Sequence, residues 1–247
     1  MANNLSLFYP PLSGNPSIDG LISQGQLPFS AEYPYQNYIN FSFDTSLINA
    51  AATSTQATAM TSTDEQAVRN VLNYLNSVTG IYFNEVPAGT TANTNLVFAL
   101  APLGPNVISS DTYSYTYNPN AAQVLNMSDS ILVNSSAYGV NSLPPGTYPY
   151  MGLLQAVGEA LGLRPPDSSP GANPPFPQQY NNGGATIMAA NNTTTFNNYT
   201  TLDLGALNWL YNGKGLQNPG IIPSGTAASG TWTMVNPNSS FGIVSTS

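Results

Sequence analysis

Gln155-Ala-Val-Gly-Glu-Ala-Leu-Gly-Leu-Arg-Pro-Pro166 is the stretch on which the reading of the fold turns. Taken together with Met151, Leu153 and Leu154 just before it, its apolar residues Val157, Ala160 and Leu161 recur at helical spacing, which predicts a helix over 151–163. Gln155 and Glu159 stand four apart, so both project from one face of that helix. A plain core helix uses the same Ala, Leu and Gly residues, so the flanking sequence has to decide what this one is.

Toward the C-terminus, 164–184 is a long loop dense in Pro, Gly and Asn, followed by Ala185-Thr-Ile-Met-Ala-Ala190 and a helix near Thr201 to Tyr211. From Gly213 onward the chain reads as turns with brief strands, such as Gly230-Thr-Trp-Thr-Met-Val235. Toward the N-terminus, a Pro/Gly/Tyr loop (Leu143 to Tyr150) precedes the helix, and Ser130–Val133, Asn95–Leu100 and Ile81–Val86 read as strands. Ser62-Thr-Asp-Glu65 offers an N-cap and an acidic first turn to a second helix, with Ala67, Val71, Leu72, Leu75 and Val78 at helical spacing and Gly80 closing it. Asp64 and Glu65 there complement the helix N-terminus. Before it lie a small-residue linker, Ala50 to Thr61, and the alternating strand Tyr38–Phe43. Strands and helices without a regular βαβ repeat predict an α+β fold. Three parts are expected: an extended arm over 1–30, a domain over 31–213 and a short β-rich tail over 214–247.

Composition excludes several function classes. The 247 residues contain no histidine and no cysteine, so neither histidine-ligated zinc chemistry nor thiol chemistry is open to the chain. Charged residues are 6% of the chain, against about 25% in a typical soluble domain. The only cations are Arg69, Arg164 and Lys214, and the net charge is −8. Binding to nucleic acid is excluded, because that affinity comes mainly from Lys and Arg neutralising phosphates. Docking on anionic membranes is disfavoured for the same reason, and no apolar run is long enough for a membrane helix. The start, Met1-Ala-Asn-Asn-Leu-Ser-Leu-Phe8, lacks the basic and apolar regions of a cleaved signal peptide.

The 155–166 stretch resembles the active-site sequence of metzincin zinc proteases of the serralysin-like branch, His-Glu-Ile-Gly-His-Ala-Leu-Gly-Leu-x-His-Pro. Gly158, Ala160-Leu-Gly-Leu163 and Pro166 stand as that family has them. Ala185-Thr-Ile-Met-Ala-Ala190 lies where the family has its Met-turn, and Leu202–Tyr211 is similar to the helix that follows it. Upstream, Ser62–Val86 resembles the family's first helix and strand, Ile39–Phe43 its first core strand, and Leu21 and Ser23 its leading segment. The resemblance covers roughly residues 18–213 and implies a metzincin-like catalytic domain: a mixed twisted sheet, an active-site helix, a Met-turn and a C-terminal helix.

The family's chemistry does not follow the pattern across. Three imidazoles bind zinc in such proteases, and a glutamate after the first acts as general base. The matching ligand positions here are Gln155, Glu159 and Pro165, and the base position is Ala156. Met188 keeps the Met-turn methionine, whereas the tyrosine that follows it in the family is Ala190. One carboxylate, a weak amide ligand and a proline do not make a catalytic zinc site. No zinc or other cofactor is therefore expected. Calcium is possible but has no motif behind it, since Asp129, Asp167 and Asp203 are scattered and no Gly-Gly-x-Gly-x-Asp repeat is present. Gln155 and Glu159 also allow a Gln/Glu dyad of the glutamic-peptidase kind, or simply a hydrogen-bonded polar pair in a vacated metal pocket.

The expected function is that of an inactive, metalloprotease-like structural subunit outside the cell. Its nearly charge-free surface would pack against copies of itself, and the proline-rich arm and β-rich tail would add strands to a neighbour. A pseudoprotease that binds peptide or carbohydrate in the old cleft is the alternative, with active peptidase a distant third. Tyr113, Tyr115 and Tyr117, alternating along one strand, suit a binding surface as well as an interface or core. Export without a cleaved leader is expected from the terminal Ser240–Ser247, which resembles the ends of type I secretion substrates.

Overall fold

The computed structural model describes residues 12–23, 29, 38–48, 56–89, 94–103, 107–118, 123–136, 143–166, 176–181, 184–189, 194–211 and 227–235. They form α1 (Pro16–Asp19), β1 (Ile39–Ser42), α2 (Ser62–Thr79), β2 (Phe83–Glu85), β3 (Leu96–Ala101), β4 (Val107–Asn118), β5 (Gln123–Asn134), α3 (Tyr148–Ala160), α4 (Thr201–Tyr211) and β6 (Ala227–Val235). The fold is α+β. Its six-stranded mixed sheet runs in the order β2-β1-β3-β5-β4-β6. β1 is parallel to β2 and β3, and β3 is parallel to β5, whereas β4 is antiparallel to both β5 and β6.

β3 shows why the sheet holds the centre. All six of its residues are buried. Successive side chains of a strand point to opposite faces, and here Leu96, Phe98 and Leu100 enter the main core while Val97, Ala99 and Ala101 enter a smaller cluster. The main core contains residues of α2, α3 and α4, and the smaller one is closed by Ile48, Leu103 and Leu132. Full burial of a Phe or Leu side chain contributes about 1.5–3 kcal/mol, so these inner strands carry much of the stability. Asn95, only 2% exposed, ties the start of β3 to β1 and to the middle of β5: its Oδ1 accepts from the Asn40 amide and its Nδ2 donates to the Met127 carbonyl, each at 2.9 Å.

α2 begins at Ser62 on a reciprocal cap between Thr61 and Asp64, one residue before the predicted N-cap, and ends at Gly80 in the left-handed region (φ 73°). Arg69 on its surface reaches Glu85 of β2 at 2.7 Å and Glu65 at 2.9 Å, with its guanidinium 4.9 Å from the centroid of the Phe43 ring.

One part of the chain departs from the sequence expectation. Residues 12–23, inside the predicted extended arm, are folded: α1 is capped by Asn15, and Asp19 accepts from the Ser13 amide and hydroxyl and from the Gly14 amide. Leu21 and Ile22 are fully buried, and Ile22 bridges Leu163. In the predicted β-rich tail, the strand read at Gly230–Val235 lies within β6, Ala227–Val235, which is hydrogen-bonded to β4 as part of the same sheet.

Candidate functional site

α3 carries the residues that the sequence singles out, and it is buried on every side from Pro149 to Ala160. A helix that is apolar all round belongs in an interior. It starts at Tyr148, three residues before the predicted Met151, because Pro149 occupies the first turn, where no N–H is needed. Its end is tight. Gly162 donates to the Glu159 carbonyl and Leu163 to the Gly158 carbonyl, both at 2.8 Å, with Gly162 at φ 101°. The residues beyond pair with the start of the chain: the Ser23 amide donates to Gly162 and the Arg164 amide to Leu21, both at 2.8 Å, and Arg164 Nε donates to the Gly20 carbonyl at 3.0 Å.

Beneath α3 runs the turn Thr186–Ala189, all of it buried. Met188 lies against Gly158 so closely that a Cβ there would stand 3.2 Å from its sulfur, 3.3 Å from Leu163 and 3.4 Å from Tyr199. Gln155, 2% exposed, donates from Nε2 to the Ile187 carbonyl at 2.6 Å. The turn is held from its other side by Asp203 of α4. That carboxylate accepts from the Thr186 hydroxyl, from the Ile187 amide at 3.1 Å, and from the Thr200 amide and hydroxyl at 2.9 and 2.8 Å. Thr200 Oγ1, whose single proton goes to Asp203, also lies 2.7 Å from the Ala185 carbonyl, and Tyr199 donates from its hydroxyl to the Leu154 carbonyl at 2.6 Å. A continuous chain of hydrogen bonds thus runs from α4 through the turn to α3.

Burial raises the Asp203 carboxyl above its ordinary 3.8, against the four donors that pull it down. Burial, followed by the nearby Asp203 charge, pushes the Tyr199 hydroxyl well up, so it stays protonated and keeps its bond to Leu154.

Gln155, Ala156, Glu159 and Met188 all lie in the interior, with Ala156 and Met188 fully buried and Gln155 and Glu159 each 2% exposed. Pro165 is also buried, while Ala190 and Asp167 lie outside the described residues. Gln155 is bonded to a backbone carbonyl of the turn, the geometry of a structural tie. Among the described residues no group of three His, Cys, Asp or Glu side chains is close enough to hold a metal ion. Sequence reading met Asp203 only as one of three scattered carboxylates and passed over Thr186 and Tyr199. Thr200-x-x-Asp203 before an apolar run has capping-box spacing and could have marked Asp203; nothing local marks Thr186 as its partner.

An open cleft of about 520 Å³ lies beside this network, lined by Asn15, Ser17, Tyr180, Thr200 and Thr201 among others. Neither Gln155 nor Glu159 lines it. Comparison of the sequence with protein-family models and with curated proteins finds no match.

Proposed function

We propose that the chain is a metalloprotease-like fold without catalytic function, serving as a self-assembling structural subunit outside the cell. The observation that carries this reading is Gln155. At the position where the resembled family has its first zinc-binding imidazole, this side chain is buried and its amide bonds the Ile187 carbonyl at 2.6 Å. Glu159 is equally buried, and the base position is an alanine. The mixed sheet, the buried helix, the turn with Met188 against Gly158 and the helix that follows are the parts the resemblance implies. Self-assembly is supported by a chain with charged residues at 6%, which lowers the desolvation cost of burying surface between copies.

Light scattering and negative-stain imaging of the purified chain across concentration, with and without calcium, test this. Filaments, sheets or discrete oligomers are expected. A monomer at every concentration contradicts the assembly role. That result would favour a second reading, a binding module for peptide or carbohydrate, which the cleft beside Asn15 and Thr200 supports: its volume is within the range of small-ligand sites.

A further inference from the structure

We infer that β6 is an exchangeable strand, and that the β4 edge it fills in its own chain is the surface on which β6 of a second copy docks. This rests on the self-assembly reading and names its surface.

β4 pairs with β5 on one side and with β6 on the other, from Val107↔Val235 to Thr116↔Ala227. Without β6, β4 would end the sheet with a row of unpaired N–H and C=O groups, and such an edge pairs readily with any suitable strand. The strand that fits is already in the chain. Domain exchange reuses a contact that the single chain makes, so it needs no new complementarity. Electrostatics do not oppose it: Ala227–Val235 contains no charged residue, and Val107–Asn118 contains only Asp111, in register with Trp232.

The opposite edge of the sheet differs. β2 has three residues and carries Glu85, ion-paired with Arg69, so it is short and charged, as protected edges are. Growth is therefore assigned to the β4 side.

β6 is joined to α4 through residues 212–226, fifteen residues that include Gly213, Gly215, Pro219, Gly220, Pro223 and Gly225. Fully extended, such a segment reaches about 50 Å, so connectivity does not dictate which copy receives the strand. Tethered through fifteen residues, the strand has an effective concentration on the order of mM within its own chain. Exchange therefore grows as the protein concentration approaches that range. Reciprocal exchange closes a dimer, and one-way exchange continues into a polymer.

The chain has no cysteine, so an introduced pair reports alone. Ser114 and Ser229 are register partners across β4 and β6, and Ser→Cys is nearly isosteric. Chains with S114C and size-tagged chains with S229C would be mixed, incubated from micromolar to millimolar concentration, oxidised and run without reductant. The S114C/S229C double variant serves as the geometric control. The expected result is that the double variant closes its own disulfide when dilute, and that the mixture gives a mixed covalent dimer increasing with concentration. A double variant that closes beside a mixture with no mixed dimer overturns exchange. A double variant that never closes overturns it too, since the β4–β6 contact would be absent. Light scattering of the same samples separates the two claims. Oligomers without mixed dimer sink exchange and leave assembly standing, whereas monomers throughout sink both.

Discussion

Replacing Asp203 with alanine should loosen the connection between α4, the turn below α3 and α3 itself. The fully buried carboxylate takes four donors, and two losses set the size of the effect. The Ile187 amide sits in a fully buried residue, and stranding a buried donor costs about 1–3 kcal/mol. Losing the reciprocal Thr200–Asp203 cap of α4 costs about 0.5–2 kcal/mol more. The expected destabilisation at neutral pH is about 1.5–5 kcal/mol, a large part of a typical stability of about 5–15 kcal/mol. For a domain of this size each kcal/mol moves Tm by about 2–4 °C, so a fall on the order of 10 °C is expected. The assay is urea unfolding followed by far-UV dichroism, where the midpoint should drop with the slope preserved. The pH dependence has a definite sign. A carboxyl raised in the folded state gives stability that is present below its unfolded value of 3.8 and is lost as pH rises through the folded value. The wild-type chain therefore loses some of its advantage over D203A as pH rises across that window. A loss under about 0.5 kcal/mol, or an advantage that widens over the same rise, would refute the assignment of this carboxylate as the tie.

Gly158→Val should destabilise by about 1–3 kcal/mol or more, because even a Cβ meets Met188, Leu163 and Tyr199 within 3.2–3.4 Å. M188A should recover part of that loss in a double-mutant cycle, and strict additivity would show that Met188 is not the neighbour at fault. Glu85→Gln should cost under about 1 kcal/mol at neutral pH, since the Arg69–Glu85 pair is well exposed. Arg69 holds the Glu85 carboxyl below its ordinary 4.5, so this contribution is present above that value and fades as pH falls through the folded one. A deficit that grows on acidification would contradict the pairing.

Much of the architecture was legible because its signals are local. α2 is bounded by an N-terminal cap and Gly80, α4 spans Thr201–Tyr211, where a helix was expected, and β1, β2 and β3 fall within or next to their predicted runs. β5 was only partly legible. Ser130–Val133 is its apolar end, whereas Gln123–Ser128 alternates too few apolar residues to read as strand, although the two form one twelve-residue element. Pro149 hid the start of α3, since proline reads as a breaker unless it sits in the first turn. Leu21 and Ile22 show the limit of composition: their neighbours are Pro-, Gly- and Ser-rich, yet both are fully buried against the α3 end. At the site, helical spacing put Gln155 and Glu159 on one face, but the partner of Gln155 is a backbone carbonyl 32 residues away. Contacts of that separation, like the β4–β6 pairing, depend on tertiary placement and leave no local trace.

We propose that 155–165 and the turn at 186–189 correspond to a metalloprotease-like site in which other residues stand at the ligand positions. Placing imidazoles at these positions with Q155H/E159H/P165H tests it most directly, read by cobalt titration of the folded variant beside the wild-type chain. One cobalt per chain with a tetrahedral-type absorption spectrum is expected in the triple variant, and none in the wild type. A triple variant that keeps its helical dichroism and cooperative unfolding, yet binds cobalt no better than wild type, would contradict the claim.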